Sequence, residues 1–298
     1  MSQSPQSRPL DALAVTVMLV LCLTWGFNQV AIKLAIHDIP PLIQSVVRSM
    51  IAALLVAAYA KSRGQTLLRR DRTLLPGLVA GALFALEFLL IYRGLIWTTA
   101  TRAVLFIYLA PFFVVIGSRI FLPADRFRWS QWAGLVLSFA GIALAFGVPT
   151  SSADPYQALG DLMMLAGAIG WAATTVLIKA SSLNRAPAEK VMLYQLVVSA
   201  PVFALCVPLF GEHMDHAPSW PAVAALAYQT VWVVSVTFVI WFAMVARYSA
   251  NRLSAFTFLS PLFGVAAGHL VLGEPLTGAF AAAVALVAAG LVLVNRAR

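Results

Sequence analysis

Apolar residues fall in long unbroken stretches separated by short polar breaks. Ten such runs lie at roughly 12–35, 41–60, 74–97, 101–122, 130–148, 158–180, 189–211, 219–247, 252–272 and 276–294. About 20 residues suffice for a helix to cross a bilayer. Pro40-Pro41, Pro149, Pro155, Pro187, Pro218, Pro221 and Pro275 punctuate the connections, as residues that cannot continue a helix do. The pattern predicts an all-α membrane protein of ten transmembrane helices. Residues 1–11 and 295–298 are then short tails, and 149–157 links two five-helix halves, 12–148 and 158–294.

Composition agrees with this reading. Of 298 residues 61% are apolar and 10% charged, and the mean hydropathy is +0.89. A soluble domain averages roughly 45–50% apolar and about 25% charged, so a soluble globule and a disordered chain are both excluded. The formal net charge of +9 is explained by its placement, without a nucleic-acid partner. Lys and Arg collect after runs 2, 4, 6 and 8 and in the tails, at Lys61, Arg63, Arg69, Arg70, Arg72, Arg126, Arg128, Arg185, Lys190, Arg247, Arg252, Arg8, Arg296 and Arg298. The opposite loops hold Asp38, Asp154, Glu212 and Asp215. The positive-inside bias therefore alternates along the chain and predicts both termini in the cytoplasm. The protein is expected in the cell membrane, the inner one in a Gram-negative bacterium. Run 1 is too long for a signal-peptide core and is read as a retained helix. Cys22 and Cys206 both fall in apolar runs, which argues against a disulfide framework. No cofactor is implied, and nothing requires an oligomer.

The chain is internally duplicated. Run 1 carries Trp25-Gly26-Phe27-Asn28-Gln29-Val30-Ala31-Ile32-Lys33, and run 6 carries Trp171-Ala172-Ala173-Thr174-Thr175-Val176-Leu177-Ile178-Lys179, at an offset of 146. Arg102, Phe106, Leu109 and Pro111 of run 4 recur as Arg252, Phe256, Leu259 and Pro261 of run 9, at an offset of 150. Gly141 matches Gly290 at an offset of 149, which also brings Asp125 onto Glu274 with one residue inserted after Pro111. Five helices per half is an odd number, so the second half enters the membrane from the opposite side. Inverted repeats recur in secondary transporters, with the substrate site near the midplane between the halves.

The Trp-x7-Lys of runs 1 and 6, the central Pro of runs 4 and 9, and Leu272-Gly273-Glu274 resemble the drug/metabolite transporter superfamily, in particular its ten-helix EamA-type exporters. The resemblance covers nearly the whole chain. In the first half Leu122-Pro123-Ala124-Asp125 replaces the usual Leu-Gly-Glu. The resemblance implies a carrier of two inverted five-helix halves that exports small metabolites or amino acids. The aromatic residues of the central helices make it most similar to the aromatic amino acid exporters of this group.

Several residues could carry the chemistry. Trp25, Asn28, Gln29 and Ile32 share one face of a regular helix, as do Trp171, Thr174, Thr175 and Ile178 in run 6 and Tyr228, Trp232 and Ser235 in run 8. Polar groups at membrane depth do not face lipid, because leaving one unsatisfied costs several kcal/mol. They face either a substrate cavity or another helix. Phe106, Tyr108, Phe258 and Ser260 surround Pro111 and Pro261, which bend their helices and free backbone acceptors. Such bends serve as hinges or binding elements, or else are static. Glu87 lies about fourteen residues into run 3, roughly 20 Å from its start. A carboxylate near the bilayer centre costs at least about 2.5–3.5 kcal/mol unless hydrated, paired or protonated. It either faces a cavity, holding a substrate ammonium or a coupling proton, or pairs with Arg48, Arg93 or Lys33. Gly77-Gly81 and Gly264-Gly268 allow close helix contact. Glu212-His213-Met214-Asp215-His216 superficially resembles a metal cluster but reads better as a solvated loop, and His269 as a packing residue.

The substrate-binding set expected on these grounds is Trp25, Asn28, Glu87, Phe106, Tyr108, Trp171, Thr175, Tyr228, Trp232, Phe258 and Ser260, with Pro111 and Pro261 as hinges and no catalytic or metal-binding residue. An integral membrane enzyme acting on a lipid or isoprenoid is the main alternative, beside a carrier of a different solute. It would need clustered acids, a nucleophile with its base, or a metal set, and no HExxH, P-loop or paired carboxylates occur within one run. A channel would need rings of like groups, which one Glu87 does not supply.

Overall fold

The computed structural model describes residues 10–36, 38–65, 67, 71–122, 127–147, 155–273 and 278–296. The Asp125–Glu274 register, the acid of Leu-Gly-Glu, residue 148, residues 149–154 of the linker and the outer parts of both tails lie outside them. The ten apolar runs become ten spans, which keep the run numbers. Spans 1, 2 and 3 are single helices, α1 (Ala12–Ile36), α2 (Pro41–Ser62) and α3 (Leu74–Gly94). Span 4 is α4 (Ala100–Ile107) followed by α5 (Ala110–Phe121), and span 5 is α6 (Trp129–Phe146). Spans 6 and 7 are α7 (Gln157–Ala180) and α8 (Ala188–Leu209). Span 8 runs through α9 (Trp220–Ala227), a π-helix (Tyr228–Thr237) and α10 (Phe238–Arg247). Span 9 is α11 (Ala250–Phe256) with α12 (Leu259–Leu272), and span 10 is α13 (Phe280–Arg296). Among the described residues nine of these stretches are long and apolar enough to cross a membrane, and Phe280–Asn295 is a shorter apolar helix.

Spans 4 and 9 break where the prolines require it. Pro111 sits in the first turn of α5 and can neither donate to Ile107 nor pass its carbonyl without a clash. The backbone tightens there into shorter turns, with Leu109 N–H donating to Phe106 O at 3.2 Å. Around Pro261 the same occurs: Phe258 N–H donates to Ala255 O at 3.3 Å and Ser260 N–H to Thr257 O at 3.0 Å. The caps below the breaks are duplicated too. Thr99 accepts from Arg102 N–H and Ser249 from Arg252 N–H, each at 3.3 Å and at an offset of 150.

The helix pairing shows the two-fold relation of the halves. Exchanging span 1 with 6, 2 with 7, 3 with 8, 4 with 9 and 5 with 10 turns each major contact into another that is present. The 1–9 contact becomes 6–4, the 3–6 contact becomes 8–1, and the 3–7 contact becomes 8–2, while 5–10, 2–7 and 4–9 map onto themselves. Three pairs of equivalent residues meet across the axis itself. Ser199 donates to Ser49 at 3.3 Å, the rings of Tyr108 and Phe258 lie 6.4 Å apart, and Ser138 donates to Val287 O at 3.5 Å. Because each half has five spans, this exchange reverses direction across the membrane. The fold is two inverted repeats, with the axis in the membrane plane.

Hydrophobic burial does not drive helices together in lipid, so close backbone approach does. Spans 5 and 10 show it most clearly. A Cβ on Gly134 would lie 2.5 Å from Gly290 O, and one on Gly141 would lie 2.8 Å from Ala283 O. These are the same contact counted from each half.

The loops on the side of the termini are pinned by polar bonds. Lys190 Nζ donates to Asp71 at 2.8 Å, Thr73 meets the Tyr194 hydroxyl at 3.0 Å, and Ser182 donates to Arg72 O at 2.7 Å. The Lys190 ammonium, with further help from Thr73, holds the Asp71 carboxyl well below the usual carboxylate range. A lowered native pKa stabilises the fold above the unfolded pKa, and that contribution is lost as pH falls towards the native one. Asp71→Asn is therefore expected to lower the melting temperature at pH 7. The gap from wild type should stay constant above about pH 5 and close as pH drops below about 4. Thermal unfolding of both proteins across that range checks it.

Candidate functional site

A cavity of about 160 Å³ lies between the halves. Span 3 supplies Glu87 and Ile91, the break of span 4 supplies Ile107, Tyr108 and Pro111, span 6 supplies Gly167 and Trp171, and span 9 adds Thr257. Small residues on span 6 let span 3 approach. A Cβ on Gly170 would sit 3.4 Å from the Glu87 Cβ, and one on Gly167 would sit 3.0 Å from Ile91. The cavity adjoins the two-fold axis where Tyr108 faces Phe258.

Glu87 is buried, with 6% of its surface exposed. Among the described residues no hydrogen bond or ion pair reaches its carboxylate. Two of the cations expected as partners are engaged elsewhere. Arg48 lies 5.0 Å from the Phe88 ring centre and donates to the Tyr92 hydroxyl at 3.4 Å. Arg93 lies 4.3 Å from the Phe210 ring centre and 5.8 Å from that of Trp97. Glu87 instead lines the cavity.

An aromatic cluster backs the Trp171 wall of the cavity. Trp241, 1% exposed, stacks on Trp171 at 5.5 Å and meets Trp25 edge-on at 5.6 Å. Trp25 also stacks on Phe238 at 5.9 Å and donates its indole N–H to Thr237 at 3.0 Å. Trp25 and Trp171, equivalent in the two repeats, thus grip one residue of span 8.

The structure brings together Glu87, Tyr108, Trp171 and Pro111 from the residues expected at the site, with Trp25 joined through Trp241. The others lie elsewhere. Phe106 sits beneath the Arg102 guanidinium at 5.9 Å, Phe258 is fully buried, and Pro261 is the third residue of α12. Thr175 uses its hydroxyl on Trp171 O at 3.0 Å, one turn back in its own helix. Ser260 is buried with its side chain beside Cys22 and Tyr108, and the Asn28 carbonyl finds no partner among the described residues. Tyr228 donates to Thr24 O at 3.2 Å and Trp232 to the Thr24 hydroxyl at 3.3 Å, and Trp232 remains 42% exposed. The run 8 stripe assumed α-helical spacing, and this correction has a clear cause. The segment is a π-helix with i→i+5 bonds, so Tyr228 and Trp232, four apart, both turn to Thr24, whereas Ser235, seven residues after Tyr228, leaves that face and bonds Thr230 O.

Two features away from the cavity escape a reading by helical period. Asp161 accepts from Arg102 Nε at 3.1 Å and from the Thr98 hydroxyl at 2.6 Å, tying span 4 to span 6 at the face opposite the termini. Glu212 accepts from the backbone N–H groups of Leu42 and Ile43 at 2.8 and 3.3 Å. A carboxylate at a helix N-terminus satisfies orphan donors and the dipole together. The apparent metal cluster of residues 212–216 is therefore a helix cap, with His213 and Asp215 paired at 3.1 Å. Among the described residues no three His, Cys, Asp or Glu side chains could hold one metal ion.

Comparison with known proteins settles the family. The EamA-like transporter family matches twice, over residues 12–147 and 158–296. This chain belongs to the EamA-like transporter family. It is a multi-pass membrane transporter, and each repeat carries one EamA unit. It is similar to the uncharacterized transporter YvbV of Bacillus subtilis, at 28% identity over 99% of this chain and 94% of that protein. It is likewise similar to a protein of Salmonella typhimurium named a probable amino-acid metabolite efflux pump, at 29% identity over 96% of this chain and 94% of the other. A solved structure titled only "Crystal structure of protein" shares the fold with a TM-score of 0.83 at 22% identity, covering 95% of this chain and 96% of that one. The two EamA matches thus cover nearly all of the described chain.

Proposed function

We propose that this EamA transporter exports small, partly apolar amines, aromatic amino acids foremost, by alternating access around the Glu87 cavity. The repeats 12–148 and 158–294 are the moving units, Pro111 and Pro261 mark the flexing points, and both termini face the cytoplasm of a cell whose membrane holds the protein. One observation carries the reading: a buried, unpaired carboxylate opens into a cavity walled by Tyr108 and Trp171 beside the two-fold axis. An apolar cavity of about 150 Å³ takes up benzene, so one aromatic ring fits, and Glu87 offers its ammonium a charged partner. The amino-acid efflux named for the Salmonella relative supports the same substrate class, and the alternating Lys and Arg bias supports the orientation.

Counterflow of individual amino acids in proteoliposomes tests it. Wild-type protein is expected to exchange Phe and Trp. Trp171→Ala and Tyr108→Ala are expected to slow that exchange by roughly 3- to 10-fold, the worth of one aromatic contact, at unchanged yield. Movement of other solutes but no aromatic amino acid overturns the substrate. Unchanged exchange in both variants returns the two rings to a packing role.

A further inference from the structure

The proline break of span 4 leaves backbone oxygens without donors. In a regular helix the Ile107 carbonyl takes the N–H of the residue four ahead, but that residue is Pro111 and has none. The Tyr108 carbonyl would take the Phe112 N–H, which donates to Leu109 O at 3.0 Å instead. Among the described residues no hydrogen bond reaches either carbonyl. A proline break does not require such orphans. In span 9 Ser260 N–H donates to Thr257 O at 3.0 Å, and the Cys22 thiol donates to Phe256 O at 3.2 Å. Ile107, Tyr108, Pro111 and Thr257 line the same cavity as Glu87. The Thr257 hydroxyl donates to Ser254 O at 2.6 Å and keeps its lone pairs for a further partner. Ile107 is also the last residue of α4, so the negative end of that helix lies at the cavity wall. Among the described residues no Lys, Arg or His lines the cavity. Acceptors without donors at membrane depth are costly, and a cation removes that cost.

We infer that the Glu87 carboxylate, the Ile107 and Tyr108 carbonyls and the Thr257 hydroxyl form a binding site for a sodium ion. Hard cations take carboxylate, carbonyl and water oxygens. Unwound backbone carbonyls and the C-terminal ends of half-helices are the parts from which membrane carriers build sodium sites. The charge sets the valence. One carboxylate balances one positive charge, whereas a divalent ion would leave a net charge at membrane depth, where it is costly. Because most of the ligands are backbone and hydroxyl oxygens, the site needs no cluster of His, Cys, Asp or Glu, and among the described residues there is none. A primary ammonium, with donors and no acceptor, seeks the same oxygens. Sodium and an amine therefore exclude each other at Glu87, and an amine leaves as sodium enters. That use of the ion rests on the transporter reading and its amine substrate, whereas the ion site itself does not.

Thermal unfolding of the purified full-length protein, without any amino acid, tests the site. Choline chloride is replaced stepwise by sodium chloride at constant ionic strength. The melting temperature of the wild type is expected to rise by about 3–6 °C, as for a ligand that binds only the folded state. Potassium, a larger ion that needs more oxygens, is expected to do less. Glu87→Gln is expected to abolish the rise. Pro111→Ala supplies the missing N–H to the Ile107 carbonyl, and it is expected to raise the sodium concentration at half-effect by about 3- to 10-fold, the worth of one competing hydrogen bond. Binding of radioactive sodium to the same preparations reads occupancy directly, and phenylalanine is expected to displace it. No rise in the wild type overturns the inference, as does an equal rise with potassium. A rise kept in Glu87→Gln or an unmoved half-effect in Pro111→Ala also overturns it. Sodium that binds but is not displaced by phenylalanine upholds the ion site and overturns the substrate instead.

Discussion

Glu87→Gln is expected to reduce transport by about 10- to 100-fold while leaving the melting temperature equal or higher. The amide keeps the shape of the side chain but cannot hold an ammonium by a charge-assisted bond, worth roughly 1.5–3 kcal/mol, or exchange a proton. Folding loses nothing by the change. Arg48 and Arg93 are bonded elsewhere, and no group among the described residues depends on the carboxylate. Relieving a buried charge removes a desolvation penalty, which favours the folded state. Opposite signs for activity and stability mark a group kept for function. Wild-type transport should also vary with pH where the variant's does not. Proteoliposome flux over a pH series, with thermal unfolding of the same preparations, decides the matter. A clear drop in melting temperature with normal flux would make Glu87 a structural residue.

Gly290→Val is expected to prevent spans 5 and 10 from packing and to remove most folded protein. A Cβ on Gly290 would overlap the Ser138 hydroxyl, which can rotate, and also the Gly134 carbonyl and the Ser138 nitrogen, backbone atoms that cannot swing away. Overpacking in a close-packed core costs roughly 1–3 kcal/mol. In lipid there is no hydrophobic force to hold separated helices together. The two-fold relation makes a second demand: Gly141→Val, the equivalent change in the first repeat, meets Ala283 O and Val287 and should fail in the same way. Gly278→Ala meets nothing within 4 Å and serves as the control. Monodisperse yield by size-exclusion chromatography reads all three. Normal yield of Gly290→Val would show that the pair tolerates separation.

The candidate site was partly legible in the residues. Glu87 stands out because a carboxylate at mid-span is costly wherever it points, so depth along the run is enough to single it out. Pro111 and Pro261 mark their breaks for a local reason, the missing N–H and the ring clash. Trp25 and Trp171 were found through the repeat, which needs only register. The polar stripes were less reliable because they assume an unbroken α-helix. One π-helical segment in span 8 shifts the register of everything after it, and Trp241, which no α-helical stripe singled out, meets both Trp25 and Trp171. Thr175 shares the chosen face, yet its hydroxyl bonds its own backbone, an outcome that spacing does not encode.

What the sequence by itself determined is whatever adds up along the chain. Hydropathy sums over each run to make ten spans. The offsets of 146 to 150 establish two repeats, and an odd number of spans in each half forces their inversion. The tertiary structure alone decided which side chains meet. Asp161 pairs with Arg102, Glu212 caps α2, Trp241 joins the two repeat tryptophans, and Glu87 lines a cavity while its repeat equivalent Thr237 is packed shut. Two nearly equivalent repeats present nearly equivalent surfaces to one another, yet one lines a cavity and the other is packed shut. Which of them packs is a property of how the helices fit against each other, and no local pattern in either repeat contains it.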